Sequence, residues 1–290
     1  MSKKAISSLE LSALIHELQF IVKGKVSQIY HLKDELLLQL HAPGKGKQLL
    51  KIVPGKFICL TKEKEAPIRP SGFCMQLRKY LDNAFIKDIY QHDSERIVIF
   101  DLEKKDRFFF IVELFSKGNI ILADKNHVII TSLERQIWKD RVIKPHEKYF
   151  FPKSDVNWKN VTEKQLSTII KKSEKKNVAI VLATEVRFGG VYAEEICKRA
   201  EVDKQISPDE VSSNDVKKIV GVIKDLQKEI IDPKGHFYEN DITPVPLTGL
   251  EATKVTNTYN EAINTINPFE KASPYEKKIK GFEKRIEEQE

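Results

Sequence analysis

Leu11, Leu14, Ile15, Leu18 and Ile21 recur at three- and four-residue steps, which predicts a helix over 8–23 with Gly24 as its stop. The period then changes. Residues 26–30 alternate, 36–40 form a more apolar run, and Lys33 and Asp34 supply the turn between these two strands. A second pair, 48–53 and 56–61, flanks the turn dipeptide Pro54-Gly55. Helix returns after Pro70 with Ser71 as its N-cap; Phe73, Leu77, Tyr80 and Leu81 make the apolar stripe, while Gln76, Arg78, Lys79 and Asp82 face away from it. Strands resume at 85–91, 96–102, 107–115, 119–122 and 128–132, separated by turn residues such as Lys117-Gly118 and Asp124-Lys125-Asn126. About nine strands joined by short hairpins predict an antiparallel sandwich or a partly closed barrel that buries both helices.

The second half reads differently. Residues 144–158 hold two prolines and the aromatics Tyr149, Phe150 and Phe151, an anchored linker. Helical period then governs 162–172, 177–188, 191–200 and 212–230, with a capping box from Thr162 to Gln165 and further N-caps at Ser207 and Ser212. Phe188-Gly189-Gly190-Val191 leaves no room for a long loop between two helices and predicts a helix-hairpin-helix. A small hairpin follows at 236–247, turning at Asn240-Asp241, then a helix at 255–266. Ser273-Pro274 caps a charged helix whose Ile279, Phe282 and Ile286 suit a coiled-coil seam. The organisation is thus α+β: a mainly antiparallel β domain over 1–150, an all-α helix-hairpin-helix domain over 151–232, a hairpin and connecting helix over 233–270, and the start of a coiled coil over 271–290. The seam stops midway, which suggests the N-terminal part of a longer protein.

Composition narrows the function. With 41% hydrophobic residues the chain is globular, and no apolar run approaches the roughly 20 residues of a membrane span, so a cytoplasmic protein with no membrane partner is expected. Its 3 cysteines, Cys59, Cys74 and Cys197, sit among apolar neighbours without metal spacing. Phosphate-binding, nucleophile-elbow and zinc-protease motifs are absent, and the 7 histidines are scattered, so no enzymatic activity, metal, cofactor or small-molecule substrate is expected. Lys and Arg total 49 against 42 for Asp and Glu, a net +7 that fits a polyanionic partner. Arg69, Arg78, Lys79 and Arg96 gather in sequence around the central helix and could meet phosphates; equally they could form a solvated face with pairs such as Arg78 and Asp82.

Four blocks now resemble one family. The stretch from Arg69 through Pro70, Ser71, Gly72 and Phe73 to Leu77, Arg78, Lys79, Tyr80 and Leu81 resembles the PSGF and LRK signature of NFACT proteins, the RqcH/NEMF ribosome quality-control factors, and looks archaeal-like. Glu10 to Leu14 with Gly24, Val26 and Tyr30 is similar to the family's opening. Glu113 to Leu122 resembles its E-L-x-x-x-G-N-I-x-L hairpin, and Gly189 to Cys197 the element opening its helix-hairpin-helix. The resemblance implies a first domain like the N-terminal domain of formamidopyrimidine-DNA glycosylases. It also implies binding to large ribosomal subunits obstructed by peptidyl-tRNA, with recruitment of aminoacyl-tRNA for C-terminal tailing at the ribosome's own peptidyl-transferase centre. The family's tRNA-contacting Asp-Arg pair falls at Glu95 and Arg96, and its early acidic residue at Glu10; Glu for Asp keeps the charge and lengthens the arm. Arg69, Arg78 and Lys79 would track RNA phosphates. Two alternatives come from other classes: a DNA-binding or base-excision protein, which would need an N-terminal proline where Met1-Ser2-Lys3 stands, and a fibronectin-binding adhesin, which would need an export signal.

Overall fold

A computed structural model describes residues 3–138, 141–152 and 156–266; the coiled-coil reading at 271–290 lies outside them. The first helix, α1 (Ser8–Leu18), opens with a capping box in which Ser7 accepts from the Glu10 N–H and the Glu10 carboxylate accepts from the Ser7 N–H. It ends earlier than the periodicity predicts. Residues Gln19–Ile21 tighten into a 3₁₀ turn, and the Gln19 amide donates to the carbonyls of Ile15 and Ile89.

Strands β1 (Lys25–His31), β2 (Leu36–Ala42), β3 (Gly46–Val53) and β4 (Phe57–Thr61) follow by hairpins, then helix α2 (Gly72–Leu81). After it come β5 (Phe85–Gln91), β6 (Ile97–Glu103), β7 (Arg107–Glu113), β8 (Asn119–Asp124) and β9 (Ile129–Ser132). All nine belong to one antiparallel sheet of order β4-β3-β2-β1-β5-β6-β7-β8-β9, so the two hairpin sets join at β1 and β5. That joint is narrow, with Lys25 opposite Phe85 as its paired residues. The sheet is neither two separate sheets nor a closed barrel, because edge strands β4 and β9 do not pair with each other.

Its halves nonetheless meet. The turn after β3 lies on the turn after β7, where the Gly55 N–H donates to the Glu113 carbonyl at 3.1 Å. Gly55 and Gly118 both have φ of +74°, and a Cβ on Gly118 would stand 1.9 Å from the Gly55 nitrogen. Only glycine permits that backbone approach. Between the halves lies an apolar core that includes Leu38, Leu50, Phe100 and Phe110. Alternate residues Ile97, Ile99, Phe109 and Ile111 face the other way, under a lid that contains Ile143 and Tyr149. Burial on both faces explains why β6 and β7 read as nearly unbroken apolar runs.

The lid begins in a short hairpin, β10 (Gln136–Trp138) and β11 (Arg141–Ile143), which the sequence pattern does not announce. Helices α3 (Glu163–Lys172), α4 (Val178–Thr184), α5 (Gly190–Arg199) and α6 (Ser213–Glu229) come next, α3 and α6 each beginning in a capping box. Gly189, at φ of +79°, provides the tight turn into α5. The helices share one continuous apolar cluster with the sheet through residues such as Trp158, Leu166 and Phe188. A three-stranded sheet, β12 (Gly235–Phe237), β13 (Ile242–Thr243) and β14 (Lys254–Thr256), precedes helix α7 (Tyr259–Ile263). The helix expected over 255–266 is therefore corrected: Val255 and Thr256, both β-branched, pair with β12, and helix starts only after the N-cap Thr258. Helix α7 docks back on the first domain, where the Glu17 carboxylate accepts from the N–H groups of Tyr259 and Asn260. No helix among the described residues is long and apolar enough to cross a membrane.

Candidate nucleic-acid interface

Three segments distant in sequence converge on one groove: the N-terminal residues 5–8, the turn from Ser94 to Arg96, and the α4–α5 turn with Arg187 and Gly189. The groove has a volume of about 590 Å³. Its floor is held by side chains that bond to backbone. Gln91 donates from its amide to the carbonyls of Ser8 (3.0 Å) and Glu95 (2.9 Å), Ser8 Oγ donates to the Ser94 carbonyl at 2.5 Å, and Trp158 Nε1 donates to Ser8 Oγ at 2.8 Å. The turn carrying Glu95 and Arg96 is thereby clamped to α1 and to the helical half.

Glu10 is 1% exposed. Its carboxylate accepts from the Ser7 N–H (2.7 Å), Lys3 Nζ (2.6 Å) and the Tyr192 hydroxyl (2.7 Å). Lys3 also reaches Asp241 at 2.5 Å, so a buried ammonium is shared by two carboxylates. Burial opposes the Lys3 charge, but Glu10 and Asp241 outweigh it and hold its pKa above the usual lysine value. Burial, then the Glu10 charge, keep Tyr192 far from ionising, so its hydroxyl remains a donor. Glu10 joins α1, α5 and the β12–β13 turn; its oxygens are spent within the chain.

Glu95 is 8% exposed and forms an ion pair with Arg187, across the boundary between sheet and helices. Arg187 sits at φ of +71°, a left-handed conformation that aims it back from the end of α4. No motif in the sequence singles out this arginine. Its only signal is a cation two residues before a Gly-Gly helix start.

Arg96 differs from both acids. It is half-buried, and its Nη1 donates to the Ile6 carbonyl at 3.3 Å. Among the described residues no carboxylate lies within ion-pair distance of it. Burial lowers its pKa and the Glu10 charge partly offsets that, leaving it cationic at neutral pH. A half-buried guanidinium with unspent donors, in a groove also lined by Phe115 and Thr184, can receive a phosphate oxygen or a base edge.

The other predicted cations lie elsewhere. Arg78 commits Nε (2.9 Å) and Nη2 (2.5 Å) to the Ile29 carbonyl in β1, beside a bulge, and so fastens α2 to the sheet. Lys79 is exposed with its Nζ 5.5 Å from the Tyr80 ring centre, and Arg69 is exposed on the loop before α2. The structure places Glu95 and Arg96 in the groove, sets Glu10 behind it where only its charge reaches Arg96, and leaves Arg69, Arg78 and Lys79 outside. No cluster of three or more His, Cys, Asp or Glu that could hold a metal ion occurs among the described residues.

A family model described as NFACT N-terminal and middle domains matches residues 7–289. The chain belongs to the NFACT family. The archaeal Rqc2 homolog aRqcH of Methanocaldococcus jannaschii is 33% identical over 99% of this NFACT chain and 46% of its own length. Ribosome quality control complex subunit 2 of Saccharomyces cerevisiae is 34% identical over 47% of this chain and 13% of its own. The chain therefore spans less than half the length of either relative. Among solved structures, the N-terminal part of the fibronectin/fibrinogen-binding protein of Streptococcus suis superposes with a TM-score of 0.72 at 18% identity, covering 90% of this chain and 98% of that one. That likeness shows the NFACT fold alone.

Proposed function

We propose that this chain is the N-terminal part of a ribosome quality-control factor that binds large ribosomal subunits obstructed by peptidyl-tRNA and recruits tRNA for C-terminal tailing of the stalled chain. The names of its NFACT relatives support the ribosomal role. The observation that carries the tRNA role is Arg96: a half-buried guanidinium in a groove, held by one backbone carbonyl and lacking an acidic partner among the described residues. Such a charge is unfavourable until an anion arrives. Arg96 is the contact to tRNA, through phosphate or an exposed base. Glu95 and Glu10 act behind it, Glu95 by anchoring Arg187 and Glu10 by fixing the N-terminal segment that carries Ile6. Chemistry is left to the ribosome's peptidyl-transferase centre, and the chain itself catalyses nothing.

Arg96→Asp places a carboxylate in the groove. In the full-length protein it is expected to abolish tRNA co-purification on large subunits while leaving the thermal unfolding midpoint within a few degrees. Retention of tRNA at the unaltered level overturns the assignment. Binding to the obstructed subunit, measured by sedimentation in the same preparation, separates loss of tRNA from loss of the ribosome.

A further inference from the structure

At the other end of β5 the sheet carries an unassigned charged surface. Strand register sets Lys47 opposite His41, His41 opposite Lys25, Lys25 opposite Phe85, Phe85 opposite Glu103, and Glu103 opposite Arg107. Directly paired residues project from the same face of a sheet, so these six form one cross-strand row. All six are exposed. Glu103 pairs with Lys87 at 2.9 Å and Arg107 with Asp101 at 2.6 Å, which neutralises the β6–β7 end. The β3–β1 end is different. Lys25 and Lys47, with Lys23 before β1 and Lys45 in the β2–β3 turn, have no carboxylate within ion-pair distance among the described residues. Two of them lie over rings: Lys25 Nζ is 4.5 Å from the Phe85 centroid and Lys45 Nζ 4.1 Å from that of Phe20.

We propose that this row is a second RNA surface, one that holds a phosphodiester backbone without reading sequence. Lysine is a hydrated point charge and lacks the planar fork that recognises a base edge, so a lysine surface suits phosphates in general. Three strand spacings from Lys47 to Phe85 span about 14 Å, wide enough for several phosphates of a duplex edge. The strand β5 separates this row from the Arg96 groove by about 20 Å. The two surfaces therefore engage different stretches of RNA. This goes beyond the proposed tRNA role and stands whatever the groove takes.

The test uses the 290-residue chain and a 20-base-pair RNA duplex of arbitrary sequence, with affinity followed by fluorescence anisotropy between 50 and 200 mM salt. Lys25→Glu, Lys45→Glu and Lys47→Glu combined are expected to weaken binding at least tenfold. They also make the slope of log affinity against log salt shallower by about 2 to 3. Lys171→Glu, Lys172→Glu and Lys175→Glu combined change net charge equally on an exposed part of the helical half and are expected to stay within twofold. Equal losses in the two variants would show that net charge alone is responsible and overturn the proposal. So would row-dependent binding to phosphatidylserine vesicles that exceeds binding to RNA. Arg96→Asp probes only the groove, so failure of either proposal is read separately.

Discussion

The Arg96 groove and the lysine row lie at opposite ends of one strand and are built by different means. The groove draws on residues 5–8, 94–96 and 183–189, and buried bonds from Ser8, Gln91 and Trp158 hold them. Remove one support and several side chains lose their positions. In the row Lys25 and Lys47 are placed by strand register and exposed to solvent, with no buried support. Removing one leaves the others where they are. The groove uses one half-buried arginine, where a low dielectric strengthens a single contact; the row uses several screened charges that are weak apart and additive together.

That contrast yields three further expectations, in descending size. Glu10→Ala deprives Lys3, Tyr192 and the Ser7 N–H of a buried partner and should destabilise the chain by about 3–5 kcal/mol, the range for breaking a buried ion pair. Chemical denaturation measures it, and a change below about 1 kcal/mol would mean that the groove has no rigid foundation. Arg187→Ala leaves the Glu95 carboxylate buried and unpaired, and should lower tRNA retention on large subunits about tenfold, with Arg187→Lys recovering part of the loss. If the lysine variant is as poor as the alanine one, charge at 187 is not what matters. Last, Lys25→Ala should weaken duplex RNA binding only about twofold and leave the unfolding midpoint unchanged. A larger single-site loss would make the row a specific site rather than an additive one.

Much of this was legible beforehand, for physical reasons. Periodicity located α1 and α2 and the strands of the large sheet, because a helix or strand with one buried face must repeat its apolar residues at that element's period. The capping boxes at Thr162 and Ser212 were visible because a cap is a local bond between neighbours in sequence. Arg96 stood out through family resemblance, and in the fold it lines the groove with one bond to the Ile6 carbonyl. Arg78 stood out through charge, and the fold spends it on the Ile29 carbonyl. No pattern within ten residues of Arg78 could show that β1 would bring the Ile29 carbonyl to it.

By itself the amino-acid sequence determined the α+β class, the order of elements from α1 to β9, the Gly55 and Gly118 turns and the charge excess, all properties of local period, turn chemistry or composition. Tertiary structure alone decided that the hairpins form one nine-stranded sheet, and that Val255 and Thr256 extend a strand instead of a helix. It also decided that Lys3, Glu10, Tyr192 and Asp241 share one buried network, and that Arg187 meets Glu95. Apart from Lys3 and Glu10, the residues that meet in that network and in the Arg187–Glu95 pair lie 92 to 238 positions apart, and their energies depend on burial. A charge exposed in the unfolded chain says nothing about which carboxylate it will be buried against.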